Sequence, residues 1–286
     1  MDSQCYLCHL SRHVGNARAL GDEATATAFA QELMQLYIDA PADAGSPWFG
    51  PHLTDLYAKY YGITGDRFLA EKEESNRFVL ERIDQIRALV EAQPDPVYAG
   101  LQYAILGNYI DFSALQGEVS FEKLDEMLKT GTSIHLDPEN YRRFCADLEK
   151  GKSLLYVTDN AGEIGFDRIC AEQIHKKYPH IAITFCVRGG PANNDALRED
   201  AEAVGIPFPV IDNGTRIAGT QLDMINEQTL TALRESDVVL SKGQANVETM
   251  LGCGYNIYYA FLIKCQRFIT LFDKPKLTPM FHCERQ

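Results

Sequence analysis

The stretch Ser153-Leu-Leu-Tyr-Val-Thr-Asp-Asn-Ala-Gly-Glu-Ile-Gly-Phe-Asp167 decides the fold. Leu154 to Thr158 is a largely apolar run that stops at Asp159-Asn160-Ala161-Gly162-Glu163, and a helical pattern follows from about Ile164 to Tyr178. Open α/β sheets build sites from buried strands of this kind, which end in polar side chains and turn into helices. Ligands then sit outside the carboxyl ends of the strands, near helix N-termini. Taken alone, the residues also suit an acidic turn in which Asn and Gly serve backbone geometry.

Two later stretches share the design. Ile181 to Val187 ends in Arg188-Gly-Gly-Pro-Ala-Asn-Asn-Asp195. Arg188 suits bidentate contact with a phosphate or carboxylate. Asp195 supplies a second carboxylate, unless it caps the helical pattern from Ala196 to Val204. Asp237 to Leu240 leads into Ser241-Lys-Gly-Gln-Ala-Asn-Val-Glu248, where a hydroxyl, a lysine and a glycine arrive together at a strand end. That set suits a phosphate cradle, with Lys242 as point charge, N–H groups freed by Gly243 and a helix behind. Parallel topology brings three such strand ends to one edge.

Asp159, Asn160 and Asp195 all offer oxygen, the ligand of hard divalent cations. A metal, Lys242 and Arg188 around one crevice suit a phosphate ester, because metal and cations together polarise the phosphoryl group, activate water and offset developing charge. Other chemistries lack their motifs. There is no Walker spacing, no Gly-x-Ser-x-Gly elbow and no Gly-x-Gly-x-x-Gly fingerprint, and Gly162-Glu-Ile-Gly165 has the wrong spacing.

Upstream the chain reads as helical. An amphipathic helix is predicted over 15–39, then a loop at 40–52 rich in Pro, Gly and Asp that carries the only tryptophan, Trp48. Helical periodicity covers 53–61 and 66–93 until Pro94 and Pro96 close it. A helix over 97–107 leads into Gly107-Asn108-Tyr109-Ile110-Asp111; Gly-Asn in that setting marks close packing, a polar group directed at a site, or a kink. Short helices follow at 120–130 and 139–150. From Ser153 the texture changes. Leu154–Thr158, Ala182–Val187, Phe208–Ile211 and Val238–Leu240 read as buried strands of a largely parallel sheet. The fold class is α/β, with a helical N-terminal region at 1–150 and an α/β metal- and phosphate-binding core at 151–286.

Composition bounds the function. The 286 residues carry 27 Lys and Arg against 40 Asp and Glu, a net charge of −13. That opposes non-specific nucleic-acid binding and requires a local positive site for a phosphorylated substrate. No run approaches the roughly 20 apolar residues of a membrane span. Met1-Asp-Ser-Gln-Cys-Tyr6 lacks the regions of a signal peptide, and eight scattered cysteines fit reduced thiols, so a cytoplasmic protein is expected. Cys5-Tyr-Leu-Cys8 is half of a zinc site, which Cys265 or the His282-Cys283 pair would complete only through tertiary contact; otherwise it is two thiols on one helix face.

In order and separation, the three motifs at Asp159–Glu163, Arg188–Asp195 and Ser241–Glu248 resemble those of the metal-dependent damage-control phosphatases, once called the domain of unknown function 89 family. Cys5-x-x-Cys8, Asp55-Leu-Tyr-Ala-Lys59, Gly107-Asn-Tyr-Ile-Asp111 and Lys264-Cys265 resemble its cysteine-bearing, mainly prokaryotic branch. The resemblance covers nearly the whole chain. It implies a helical region beside a Rossmann-like core, a divalent metal (Mn, Mg, Co or Ni) on Asp159, Asn160 and Asp195, and Lys242 on the substrate phosphate. By position, Glu163, Asn194 and Ser241 would line the site, with Arg188 and Asn108 as further substrate contacts. Ala245 stands where a glycine is common, and Asn193 adds a polar residue; neither removes a ligand.

The expectation is a cytoplasmic, metal-dependent phosphatase that hydrolyses a small phosphorylated metabolite, a sugar phosphate or damaged phosphometabolite, by metal-activated water. Asp159, Asp195, Glu163 and Lys242 would carry catalysis, with Glu163 orienting water or a substrate hydroxyl. The alternatives are a transferase using a nucleotide-like cosubstrate on the same fold, and a non-catalytic metal or metabolite binder centred on Cys5 and Cys8. Neither nucleic acid nor membrane is an expected partner, and substrate, metal and oligomeric state stay open.

Overall fold

The computed structural model describes residues 1–42, 44–110, 121–129 and 134–284. Its centre is a six-stranded sheet of β1 (Ser153–Val157), β2 (Ala182–Val187), β3 (Val210–Asp212), β4 (Val238–Lys242), β5 (Ile257–Leu262) and β6 (Pro279–Cys283). The order is β3-β2-β1-β4-β5-β6, parallel except for β6. The α/β class and the largely parallel core stand as predicted. Two strands escaped the sequence reading. In β5, Ile-Tyr-Tyr-Ala-Phe-Leu is buried at every position, a continuous apolar run that suits strand and core helix equally. β6 opens with Pro279, which an edge strand tolerates.

The helices are α1 (Ser3–Leu20), α2 (Glu23–Asp39), α3 (Gly50–Tyr61), α4 (Leu69–Leu80), α5 (Ile83–Glu91), α6 (Pro96–Gly107), α7 (Phe121–Lys129), α8 (Pro138–Lys150), α9 (Glu163–Lys177), α10 (Arg198–Ala203), α11 (Glu227–Glu235), α12 (Gln244–Met250) and α13 (Gln266–Phe272). The helix predicted over 15–39 is two helices. Gly21 ends the first, and Asp22 starts the second by accepting a hydrogen bond from Thr25 N at 2.8 Å. The pattern over 66–93 breaks at Glu81-Arg82, where Arg82 turns back onto Phe78 O at 2.9 Å and pairs with Asp125 at 2.7 Å.

The texture change near residue 150 does not separate packed cores. One continuous core runs from Phe78 and Val79 through α6 to Tyr156, Leu240 and Phe281. A second covers the opposite sheet face around Val157, Val239 and Tyr259. A third gathers Ala17, Phe29, Phe49 and Tyr57 among the first helices. α6 packs directly on α9, and Gly107 permits it, because a Cβ there would lie 2.6 Å from Phe166 Cδ2. Of the readings open at Gly107-Asn108, close packing is realised at Gly107.

Candidate active site

The strand order reverses between β1 and β4, the switch point at which open α/β sheets place ligands. Asp159 and Asn160 follow β1, Arg188 follows β2, and Lys242 ends β4. In register, Val157 lies between Cys186 and Ser241, so the three motifs share one edge. Backbone bonds stitch two of the loops together: Ala196 N donates to Asp159 O at 2.7 Å and Ala161 N to Asn194 O at 2.9 Å. Asp195 forms a bridge with Asn160 and caps no helix; α10 begins at Arg198, and Asp200 accepts from Leu197 N at 2.8 Å.

The carboxylates are held by amides and a guanidinium. Asp159 Oδ2 accepts from Asn108 Nδ2 and Asn160 Nδ2, both at 2.9 Å. The same two nitrogens donate to Glu163 Oε2 at 2.9 and 2.7 Å. Asn108 is fixed in turn by Leu262 N, which donates to its Oδ1 at 3.2 Å. Asn108 therefore is directed at the site, from beneath it. Asp195 Oδ2 accepts from Arg188 Nε at 2.6 Å. Gly243 has φ +79° and lies directly under Asp159; a Cβ would fall 2.0 Å from the carboxylate.

Lys242 is fully buried. Its ammonium donates to Ala104 O at 2.7 Å, to Glu163 Oε1 at 2.5 Å and to Asp167 Oδ1 at 3.0 Å. A lysine has three N–H donors, so in this arrangement none is left for a phosphate. Asp167, one helical turn after Glu163, carries no motif of its own; the i,i+4 spacing that puts both on one face of α9 was the available signal. Burial pushes the Asp167 carboxyl up to about 7, against the pull of Lys242, and Tyr156 OH donates to it at 2.9 Å. Burial opposes the Lys242 charge as well, but Asp167 and Glu163 outweigh it and hold the ammonium above its usual range.

Arg188 is also buried, with Nη2 3.4 Å from Asn246 Oδ1. Its Nη1 and the Ser241 hydroxyl are buried without a hydrogen-bond partner among the described residues. Orphans of this kind are costly and uncommon unless a ligand or water meets them.

A cavity of about 510 Å³ opens over the strand ends, within the size range of small-molecule clefts. Asp159, Asn160, Asn194 and Asp195 line its core side, and His9, His13, Ser46 and Arg67 its helical side. Asn108, Glu163, Arg188, Ser241 and Lys242 stand behind that lining. Asn193, with φ 49°, joins the wall. From the loop at 40–52, Ser46 and Pro47 face the cavity, whereas Trp48 packs on Phe49 and His52. Asp111 lies outside the described residues.

Cys5, Cys8 and Cys265 reach the same wall. Burial, with a bond to Asp2, pushes the Cys5 thiol up to about 11, and Gln244 Nε2 donates to Cys265 Sγ at 3.3 Å. Cys283 is buried in the main core and His282 packs on Phe272, so neither lines the cavity. Among the described residues, no three His, Cys, Asp or Glu side chains converge closely enough to hold a metal.

Sequence reasoning also missed a polar relay between helices and core. Lys72 pairs with Asp66 at 3.0 Å and Asp200 at 2.9 Å; Asn76 donates to Asp200 at 2.7 Å and accepts from Gly162 N at 2.7 Å. It ties the loop before α4 to the turn that carries Asp159.

Residues 1–277 match the damage-control phosphatase ARMT1-like domain. The chain belongs to that family. An uncharacterized protein of Methanocaldococcus jannaschii is 30% identical over 92% of this chain and 88% of its own length. A damage-control phosphatase of Pyrococcus horikoshii is 30% identical over 82% and 79%, and one of Archaeoglobus fulgidus 29% identical over 74% and 75%. Those names support a phosphatase function in the family. A solved domain-of-unknown-function-89 protein of Pyrococcus horikoshii superposes with a TM-score of 0.85 at 24% identity, over 100% of this chain and 99% of that one, and shares the fold. Among the described residues, no helix is long and apolar enough to cross a membrane.

The strand-end residues of this damage-control phosphatase family member suit a hard cation. Asn160 spends its Nδ2 on Asp159 and Glu163, which leaves Oδ1 without a hydrogen bond among the described residues, in a side chain that lines the cavity. Two carboxylates and an amide oxygen form a partial oxygen set of the sort that magnesium or manganese completes with water and substrate.

Proposed function

We propose that the protein is a metal-dependent phosphomonoester hydrolase acting on a small phosphorylated metabolite. The observation that carries this reading is the convergence of Asp159, Asn160 and Asp195 at the sheet's switch point, on the wall of a metabolite-sized cavity. A divalent cation held by these three would polarise the phosphoryl group and make a water nucleophilic near neutral pH.

The remaining residues hold and orient. Arg188 fixes Asp195 through Nε from behind the lining, and its Nη1 is buried without a partner among the described residues. Asn108 and Asn160 set the rotation of Asp159. Glu163 clamps both amides from behind the lining, and Lys242 neutralises Glu163 and Asp167 so that the cluster of carboxylates survives burial. In this account Lys242 and Glu163 are positioning residues.

The test is phosphate release from sugar phosphates, nucleotides and p-nitrophenyl phosphate by chelator-stripped protein refilled with Mg²⁺, Mn²⁺, Co²⁺ or Ni²⁺. Release that requires the metal supports the reading. Release unaffected by chelation, or none with any metal, overturns it; stabilisation by nucleotides in the second case would point to a transferase.

A further inference from the structure

The helical side of the cavity carries a cation that no described residue neutralises. Arg67 sits in the connection between α3 and α4, half-buried, with its guanidinium carbon 3.7 Å from the centre of the Tyr57 ring. It makes no hydrogen bond or ion pair among the described residues, although the chain has 40 carboxylate side chains against 27 cations. Arg267, on the same cavity, pairs with Glu248 at 3.0 Å. The segment bearing Arg67 is anchored: Asp66 accepts from Phe68 N at 2.9 Å and from Lys72 at 3.0 Å, and Lys72 reaches Asp200 in the core. A guanidinium stacked on a ring keeps its in-plane N–H donors open for an oxyanion. The neighbouring His13 shares a hydrogen bond with Tyr57 OH at 3.1 Å. Burial first, then the charges of His9, Arg12 and Arg67, push that imidazole down to about 3, so near neutral pH the positive charge at this end belongs to arginine.

We propose that Arg67 is a specificity-determining residue that receives a second oxyanion of the substrate, a carboxylate or a second phosphate, beside the phosphate presented to Asp159 and Asp195. The preferred substrate is then a phosphorylated acid or a bisphosphate, not a phosphomonoester with a neutral far end. This deepens the phosphatase reading and rests on it.

Two probe pairs isolate the second anion. 3-Phosphoglycerate differs from glycerol 3-phosphate in a carboxylate that replaces a hydroxymethyl, and fructose 1,6-bisphosphate differs from fructose 6-phosphate in a phosphate. kcat/KM is measured for each with Mn²⁺-loaded wild type, Arg67→Met and Arg67→Lys. Binding of non-hydrolysable phosphonate analogues of the first pair is followed by calorimetry on the same proteins. Met keeps the apolar stem over Tyr57 and removes the charge. The wild type is expected to favour the anion-ended member of at least one pair by about 10- to 100-fold, the span of a charged hydrogen bond. In Arg67→Met that preference falls to about one while the neutral-ended probe is unchanged, and Arg67→Lys keeps part of it. The pair that responds identifies the oxyanion. No preference in the wild type, or an equal preference in Arg67→Met, overturns the proposal. Absence of phosphate release from every probe, with analogue binding still dependent on Arg67, would instead overturn the phosphatase reading alone.

Discussion

Lys242 and Glu163 meet as a closed ion pair, Nζ 2.5 Å from Oε1, with neither side chain reaching solvent. Glu163 in turn grips the two amides that orient Asp159, so the lysine controls the site at one remove. Replacing it strands two buried carboxylates. Lys242→Met is expected to destabilise the protein by about 3–5 kcal/mol in urea unfolding, the cost of breaking a buried pair. Folded variant at low temperature should lose kcat with KM nearly unchanged. A large rise in KM with kcat preserved would instead show Lys242 on the phosphate.

Gly243 makes the second case. Its φ is +79°, and a methyl group at its Cα would stand 2.0 Å from the Asp159 carboxylate, which leaves no room for alanine. Gly243→Ala should displace Asp159 and lower kcat by about 100-fold, as a misplacement of about 1 Å does elsewhere. The circular dichroism spectrum should stay native. Wild-type kcat in this variant would show that Asp159 need not be where it is.

The histidines set an acid limit on stability. Burial pushes His9 down to about 4 and His13 down to about 3, from 6.5. The unfolded chain therefore takes up these protons first as pH falls. Their contribution is full above about pH 6.5 and is lost as pH drops toward 4 and 3, with a slope of at most about 1.4 kcal/mol per pH unit for each. Guanidinium unfolding at pH 7, 6 and 5 should show the decline. The double variant His9→Gln/His13→Gln should be weaker at pH 7, through the lost bonds to Ser46 and Tyr57, and flatter with pH. An equal slope in both proteins would refute this cause.

What the sequence made legible was local. Asp159, Arg188 and Lys242 each end an apolar run, and parallel neighbours must deliver such ends to one edge. Where a side chain goes after the edge is tertiary. A lysine behind a strand reads as exposed and ready for phosphate; only the fold reveals Asp167, Glu163 and Ala104 O closing around Lys242. Lys72 and Asn76 lie in a helix whose charged texture reads as solvated, and burial against Asp200 is visible only once α4 meets the core. Arg67 carries no motif at all; the Tyr57 ring beneath it, and the want of a carboxylate partner among the described residues, are visible only in the fold. The missed strand β5 shows the converse, since an apolar run without periodicity does not name its own geometry.

Metal retention and turnover are paired in Asp195→Asn, which keeps the side chain's size and an oxygen for Arg188. Bound Mn²⁺ after gel filtration and phosphate release are measured together for wild type and variant. Wild type is expected to retain Mn²⁺ and to release phosphate only with it, and Asp195→Asn to lose both while its melting temperature stays close to wild type. A variant that retains the metal and the activity, or a stripped wild type that works equally well, would contradict it.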